Sequence, residues 1–489
     1  MNLDAANCYR ALSARDARFD GRFFTGVVTT GVYCRPVCPA RTPFRKNVRF
    51  FSSAAAAERG GFRPCRRCRP ESSPGTPAWA GTSATVSRAL RLMASDGETS
   101  SSVEQMARRL GVGSRHLRRL FRIELGASPV EVAVTRRLHF AKKLLEETNL
   151  PVGQLALAAG FGSIRRFNEA FRETFGEAPG RVRAARGARP SPGIALHLAY
   201  RPPYDWRSLL EFLAARAIPG VESAEDGVYR RTFSLGGSSG MLEVAPSTKG
   251  PGLTARIFGV ETGDLLSIVE RVRRAFDLEA DAQAVEAALR HDAVLAPLVR
   301  RFPGLRLPGC FDPFELAVRA ILGQQVSVAA ARTLAGRIAS EFGKPVESGL
   351  PGLTRIFPRP AALSGADLSA IGLTKSRAEA LRSLADFFVR DAAAAELAGL
   401  DFSELLQRLT ALRGVGPWTA HYVAMRGFGH PDAFPAGDLV LRRAAAKGRR
   451  PLSERELETI SQRWRPWRSY AALYLWKTIK PKVKKEIKS

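Results

Sequence analysis

Two stretches of the 489-residue chain carry the same order of apolar and polar positions. Val103, Gln105, Met106, Ala107, Gly111 and Ser114 return 49 positions later as Val152, Gln154, Leu155, Ala156, Gly160 and Ser163. From there the offset is 50, with Leu117, Phe121, Gly126 and Pro129 returning as Phe167, Phe171, Gly176 and Pro179, so one residue has been inserted in the second turn. In each copy apolar residues at i, i+3 and i+4 precede a glycine-bearing turn and a basic helix, the pattern of a helix-turn-helix unit. The spacing predicts recognition helices beginning near Ser114 and Ser163, each serine capping its helix. From Ile194 the period changes. Leu196, Leu198 and Tyr200 alternate with Ala195, His197 and Ala199, while Val228 to Leu235 and Met241 to Val244 flank Gly236-Gly237-Ser238-Ser239-Gly240, a hairpin signal. An antiparallel sheet with a helix or two is expected up to about Phe276, and helices joined by short turns from residue 279 onward.

Breaks in this pattern divide the chain. Pro70-Glu71-Ser72-Ser73-Pro74-Gly75-Thr76-Pro77 reads as a linker, and the basic, breaker-rich run from Arg181 to Gly193 as an interdomain seam. A softer boundary lies around Leu278 to Ala282. The length suits roughly three or four domains.

Composition sharpens the partner. With 45% hydrophobic and 25% charged residues the chain is ordinary globular material, but 75 Lys and Arg stand against 46 Asp and Glu, a formal net charge of +29. Such an excess favours a polyanion, with nucleic acid the first candidate. No apolar run approaches the roughly 18 to 20 residues that span a bilayer, so an integral membrane protein is not expected. Met1-Asn2-Leu3-Asp4 opens mixed, charged sequence rather than a secretory signal, which makes the cytoplasm the expected compartment.

Four of the six cysteines, Cys34, Cys38, Cys65 and Cys68, fall within 35 residues, in two pairs separated by 26 residues. In a reducing compartment that spacing suits tetrahedral Zn²⁺ rather than disulfides. The centre could be purely structural. Four thiolates around Zn²⁺ leave two net negative charges, however, and electron-rich sulfur can attack an electrophilic carbon. Converting one thiolate to a thioether would halve that charge and lessen repulsion from DNA phosphates.

The runs Asp16-Ala17-Arg18-Phe19-Asp20-Gly21-Arg22-Phe23, Thr29-Thr30-Gly31-Val32-Tyr33-Cys34-Arg35-Pro36 and Gly61-Phe62-Arg63-Pro64-Cys65-Arg66-Arg67-Cys68 resemble the zinc domain of Ada-type alkylation-response regulators. The resemblance implies irreversible methyl transfer from a DNA methylphosphotriester to Cys34, with Cys38, Cys65 and Cys68 as the remaining ligands. The tandem helix-turn-helix is similar to the AraC-type regulator domain. Arg115, His116, Arg118 and Arg119 on the first recognition helix, and Arg165, Arg166 and Asn168 on the second, are the side chains available to phosphates and base edges of a promoter operator. RNA polymerase is the partner an activator of this kind implies, and the nucleoid its place.

Near the C-terminus, Leu412-Arg413-Gly414-Val415-Gly416-Pro417-Trp418-Thr419-Ala420 places a Gly-x-Gly turn between two apolar helical stretches, and Asp438 follows Gly416 by 22 residues. Gly414 and Gly416 let the backbone approach DNA, and amides at the next helix start can hold a phosphate. Locally Asp438 reads as a helix N-cap before Leu439. Together these features resemble the helix-hairpin-helix glycosylase superfamily, in which an aspartate at this distance is catalytic. The runs from Leu307 to Glu315, Arg319 to Ser327 and Arg465 to Trp476 resemble AlkA-type 3-methyladenine glycosylases over about residues 193 to 480. That likeness implies an aromatic base pocket of Trp418, Tyr422 and Trp476, and Gln325 as the wedge filling the gap left by a flipped base. The position of the Schiff-base lysine of strand-cleaving relatives is held by Trp418, which forms no imine. Only Cys310 lies in this half, too few for an iron-sulfur cluster, and the Pro-Cys-His-Arg motif of Ada's methylguanine transferase module is absent.

The expected protein is multidomain and mainly α with α+β parts. A small four-cysteine zinc domain covers 1–76, a tandem helix-turn-helix 77–188, an antiparallel-sheet α+β domain 189–278 and an all-α helix-hairpin-helix glycosylase 279–489. Its expected function is DNA-alkylation repair with adaptive-response regulation, acting on double-stranded DNA. The competing expectation is a transcription regulator whose glycosylase half is silent and only holds DNA.

Overall fold

Around the cysteines the elements are short: helix α1 (Ala5–Ser13), strands β1 (Phe24–Val27), β2 (Val32–Cys34) and β3 (Val48–Phe51), helix α2 (Ala54–Arg59) and strand β4 (Arg63–Pro64). They form a sheet of order β3-β1-β2-β4 in which β2 and β4 run parallel, pairing Tyr33 with Pro64. This computed structural model describes residues 4–73, 84–95, 102–184, 193–235, 238–350, 352–369, 371–389, 393–446, 448 and 450–478. Most of the expected linker and seam, 74–77 and 185–192, and the tip of the Gly236 hairpin lie outside them.

The near-repeat forms two helix-turn-helix units. Helix α3 (Ala84–Ser95) precedes α4 (Val103–Arg109) and α5 (Ser114–Leu125). The long α6 (Pro129–Glu147) then leads to α7 (Val152–Ala158), α8 (Ile164–Phe175) and the short α9 (Pro179–Ala184). Turn glycines Gly111 and Gly160 both take positive φ, 70° and 78°, which a side chain would resist. Leu117, Phe121 and Leu125 bury one face of α5, and Phe167, Phe171 and Phe175 the matching face of α8. One expectation fails. Ser163 caps α8 by accepting from the Arg166 amide, but Ser114 is the first residue of α5 and Gly113 occupies its cap position without a side-chain bond. The inserted residue in the second turn explains this, since it sets Ser163 one step ahead of its helix.

Strands β5 (Ile194–Ala199), β6 (Glu222–Glu225), β7 (Val228–Leu235), β8 (Ser238–Pro246) and β9 (Gly252–Phe258) form an antiparallel sheet of order β5-β9-β8-β7-β6, with helices α10 (Trp206–Ala214) and α11 (Leu265–Ala275). The β7–β8 hairpin pairs Leu235 with Ser238, so the second strand begins inside the expected turn and Gly240 lies opposite Phe233. The remainder comprises α12 (Ala282–Leu289), α13 (Ala296–Arg301), α14 (Pro313–Leu322), α15 (Val328–Phe342), α16 (Pro360–Leu363), α17 (Lys375–Phe388), α18 (Ala393–Gly399), α19 (Phe402–Thr410), α20 (Pro417–Phe428), α21 (Leu439–Ala445), α22 (Glu454–Ser461) and α23 (Arg468–Trp476). The all-α expectation overlooks one two-stranded ribbon, β10 (Lys344–Pro345) paired with β11 (Arg355–Ile356).

The cores do not stop at the second seam. Leu144, Leu155, Phe167 and Phe171 belong to the same buried cluster as Leu196, Leu242, Ile257 and Val272, so the second helix-turn-helix unit and the sheet share one interior. The sheet is joined in turn to the helical part by buried charge. Arg231 on β7 meets Glu315 of α14 at 2.6 Å, and Arg319 of α14 meets Glu222 of β6 at 2.8 Å. Because removing Arg231 leaves the buried Glu222 and Glu315 to share Arg319 alone, Arg231→Leu is expected to cost about 3–5 kcal/mol in urea unfolding. Arg207→Ala, which breaks only the exposed pair with Glu211, should cost about 0.5 kcal/mol or less.

Candidate metal centre, active site and nucleic-acid interface

The parallel β2–β4 pairing brings the two cysteine pairs together. The Arg63 amide donates to Gly31 O at 2.9 Å and the Cys65 amide to Tyr33 O at 3.0 Å, which sets Cys65 beside Cys34 at the end of β2. All four cysteines are buried, and their Sγ atoms lie within 4.8 Å of one another. Four Zn–S bonds of about 2.3 Å in a tetrahedron need S···S edges of about 3.8 Å, so the cluster fits Zn²⁺ with little adjustment. The four sulfurs are a zinc centre. Arg35 braces it: its amide donates to Cys68 Sγ at 3.3 Å, its guanidinium to Cys68 O at 3.2 Å, and Asp20 pairs with it from the other side. Neither Arg35 nor Asp20 stood out in the sequence beyond its place in a motif.

On the first recognition helix Arg115, His116, Arg118 and Arg119 are all exposed. Arg118 is paired with Glu104 at 2.7 Å, and Arg119 Nη2 lies 3.3 Å from His116 Nδ1. On the second, Arg165 and Arg166 are exposed, Asn168 is half-buried, and Arg165 pairs with Glu169 at 3.0 Å. Exposed pairs of this kind are weak, so a phosphate can displace them.

The hairpin between α19 and α20 is shaped by Gly414, at φ 76°, where a Cβ would come within 2.4 Å of Ala380 Cβ. Gly416 precedes α20 without a side-chain cap and with open space around it, leaving the first amides of the helix free to face a phosphate. Across from it, Gln325 is exposed in the turn between α14 and α15 at φ 57°, a left-handed conformation that costs a non-glycine residue energy. That turn is tied down by its neighbour. Gln324 Nε2 donates to Gly414 O at 2.8 Å and Thr419 Oγ1 at 3.0 Å, and Gln324 O accepts from Arg377 at 2.8 Å. Nothing in the sequence marks Gln324, Thr419 or Arg377 as supports, because the strain they restrain is a backbone property.

Asp438 caps a helix and also meets the expected aromatic residues. Its Oδ1 accepts from the Val440 and Leu441 amides at 2.9 and 3.0 Å, capping α21. Its Oδ2 accepts from Trp418 Nε1 at 3.0 Å, and Trp476 Nε1 lies 3.5 Å from Oδ1. The Trp418 and Tyr422 rings stack with centroids 5.1 Å apart, and Tyr422 meets Trp476 edge-on at 6.3 Å. Burial pushes the Tyr422 phenol up, but Arg426 and Arg216 beside it outweigh this and hold it below the ordinary value. The loop leading to Asp438 is fastened to α23, the helix carrying Trp476: Arg468 binds Asp432 at 2.8 Å, and Ser469 Oγ donates to the carbonyls of His430 and Ala433 at 2.7 Å.

The metal centre, the basic recognition helices and the hairpin with its aspartate define a zinc-containing DNA-binding protein that carries a base-excision glycosylase fold. Comparison with known proteins agrees along the chain. Family profiles match for the metal binding domain of Ada over residues 7–71, a helix-turn-helix domain over 106–185, the AlkA N-terminal domain over 195–312 and the HhH-GPD superfamily of base excision DNA repair proteins over 318–469. The probable bifunctional transcriptional activator/DNA repair enzyme AlkA of Mycobacterium tuberculosis is 43% identical over 489 residues, spanning 99% of this chain and 98% of the relative. DNA-3-methyladenine glycosylase 2 of Escherichia coli is 36% identical over 285 residues, 58% of this chain and 96% of its own length. The structure of 3-methyladenine DNA-glycosylase from Archaeoglobus fulgidus superimposes with a TM-score of 0.51 at 25% identity, covering 57% of this chain and 96% of that one. The chain belongs to the family of bifunctional Ada/AlkA transcriptional activators and DNA repair enzymes.

Two histidines beside the loop to Asp438 make its stability depend on pH. His421 Nδ1 accepts from the Phe434 amide at 3.1 Å and His430 Nδ1 from the Asp432 amide at 3.2 Å, so both must be neutral there. Burial, then nearby arginines, lowers their pKa values from 6.5 to about 4 and about 3. Below about pH 6.5 the unfolded chain takes up protons that these folded sites refuse, so their contribution is intact above that pH and declines toward pH 4. The melting temperature of wild type should therefore fall more steeply between pH 6.5 and 4.5 than that of His421→Asn/His430→Asn.

Proposed function

We propose that this chain answers DNA alkylation in two ways: Cys34 captures one methyl group from a DNA methylphosphotriester, and Asp438 serves repeated excision of alkylated bases such as 3-methyladenine. The observation that carries the enzymatic half is the Asp438 carboxylate, fixed among Trp418, Tyr422 and Trp476 by bonds from two backbone amides and two indoles. A base alkylated on a ring nitrogen is cationic and already a good leaving group, so no proton need be delivered to it. Once the nucleotide is flipped out, the electron-rich aromatic faces attract the cationic base. Asp438 stabilises the positive charge that grows on the sugar as the glycosidic bond breaks, or orients the attacking water. Gln325 fills the gap in the duplex, and Gly414 and Gly416 present backbone amides to the strand. The competing view, that the glycosylase half only holds DNA, finds no member of this constellation missing.

For the sensor half, bound Zn²⁺ keeps the four sulfurs as thiolates at neutral pH. The Arg35 amide donates to Cys68 Sγ at 3.3 Å and so engages one lone pair of that sulfur. Cys34 is taken as the acceptor from its place in the Ada-type metal-binding motif. Cys34 Sγ attacks the methyl carbon: an S–C bond forms, the C–O bond of the triester breaks, and its electron pair stays on the phosphate, now a diester anion. The recognition helices, through Arg115, His116, Arg118, Arg119, Arg165, Arg166 and Asn168, then bind a promoter operator, with RNA polymerase as the activator's partner. We assign these tasks to units 1–76, 77–188, 189–278 and 279–489. No helix among the described residues is long and apolar enough to cross a membrane, and the cytoplasm, on the nucleoid, is the proposed place of action.

Wild type incubated with methylated duplex should release free 3-methyladenine and leave an abasic site in an unbroken strand. Borohydride should trap no protein–DNA adduct, because Trp418 stands where a lysine would form one. A trapped adduct would overturn the assignment as a glycosylase without lyase activity, and absence of free base would overturn excision itself. With methylphosphotriester DNA, mass spectrometry should find one added methyl on Cys34; four unmodified cysteines would rule out capture.

A further inference from the structure

Helix α6 presents two polar stripes to two different parts of the molecule. Thr135, His139, Lys142 and Glu146 follow spacings of four, three and four, which on a helix is one face. Each meets the zinc unit. Thr135 Oγ1 donates to Glu58 Oε2 at 2.5 Å, and His139 Nε2 lies 3.2 Å from Glu58 Oε1 and 3.0 Å from the Tyr33 hydroxyl. Lys142 meets Glu71 at 3.0 Å, and Glu146 pairs with Arg69. Arg136, Lys143 and Glu147 lie one residue further on, about 100° around the helix. Arg136 pairs with Glu270 of α11 at 2.8 Å. Lys143 pairs with Glu147 at 2.9 Å, and Glu147 accepts from the His197 amide of β5 at 2.8 Å.

Both cysteine pairs reach the first stripe within three residues. Tyr33 immediately precedes Cys34, is fully buried, and donates to Glu58 at 2.8 Å. Glu71 and Arg69 follow Cys68 on the turn Pro70–Ser72. A one-charge change at the metal therefore falls beside a partly buried network of Glu58, Glu71, Lys142 and Arg69, where screening is weaker than in open solvent. The helix is continuous through both stripes, so a shift of its sensor face moves the other. A cavity of about 540 Å³, bordered by Arg136, His139, Lys143, Glu270, Arg273 and Asp281, gives the helix room to move where the units meet.

We propose that α6 couples the zinc centre to the glycosylase, so that methylation of Cys34 tightens the glycosylase's hold on damaged DNA. The proposal rests on Cys34 being the methyl acceptor. It requires two arrangements of α6 whose balance the methyl group shifts. Arg136 and Glu270 act as positioning residues in this coupling and touch neither DNA base nor metal.

The test uses the full-length, zinc-loaded chain, charged or not with a methylphosphotriester duplex. Mass spectrometry verifies the methyl on Cys34, and KM and kcat for 3-methyladenine release are then measured at one salt concentration. Methylation is expected to lower KM about fivefold, with kcat unchanged. Arg136→Gln and Glu270→Gln, each able to stand in if the other fails to fold, should still gain the methyl but lose the KM response, although the change in overall charge is the same. Methylated wild type with an unchanged KM would overturn the coupling and leave the acceptor assignment standing. A KM shift that persists in both variants would overturn α6 as the route. If Cys34 gains no methyl, the acceptor assignment falls and takes the coupling with it.

Discussion

One carboxylate, Asp438, sits half-buried between Trp418 and Trp476 with both oxygens hydrogen-bonded, and much of the C-terminal architecture is arranged around it. A charge withdrawn from water must be compensated by hydrogen bonds. Two backbone amides at the start of α21 and two indole N–H groups provide them. The donors come from three separate elements, α20, α21 and α23, so those helices must meet at one point. The bonds from Arg468 to Asp432 and from Ser469 to the carbonyls of His430 and Ala433 hold the intervening loop in place, on the same helix that supplies Trp476. Capping and position thus reinforce each other, since the aspartate that starts the helix is also the group held against Trp418 and Trp476.

The same logic of paired buried charge holds the larger units together. Arg231, Glu315, Arg319 and Glu222 join the sheet to α14, and the two polar stripes of α6 join the zinc unit to the helix-turn-helix region and that region to the sheet. Apolar burial adds to this, because the second helix-turn-helix unit and the sheet share one core. The zinc unit, the helix-turn-helix region and the glycosylase fold are therefore in continuous physical contact, which is the arrangement the proposed coupling requires.

Periodic and local features are legible in the sequence. The repeat, with its turn glycines and buried helix faces, follows from spacing alone, as does the gathering of four cysteines at one centre. The β7–β8 hairpin is legible in outline, but its second strand starts three residues earlier than the hydrophobic run suggests, because backbone pairing extends through Ser238 and Ser239 into the glycine-rich segment. Ser114 falls one step inside its helix for a similarly local reason, the inserted residue of the second turn. Pairings between distant positions leave no such trace. Thr135 meets Glu58 across 77 residues, and Gln324 meets Gly414 across 90. No periodicity encodes such contacts, nor the left-handed backbone that turns Gln325 outward.

If the charge of Asp438 drives base excision, removing that charge alone should stop the chemistry and spare the fold. Asn caps helices about as well as Asp, so Asp438→Asn discharges the group while leaving α21 its cap. Single-turnover release of 3-methyladenine, with protein in excess over a duplex containing one lesion, separates that chemistry from binding. Asp438→Asn is expected to slow release by about 10²–10⁴-fold while binding the duplex as tightly as wild type at the same salt. Release by Asp438→Asn at the wild-type rate would show that the carboxylate charge is not what breaks the glycosidic bond.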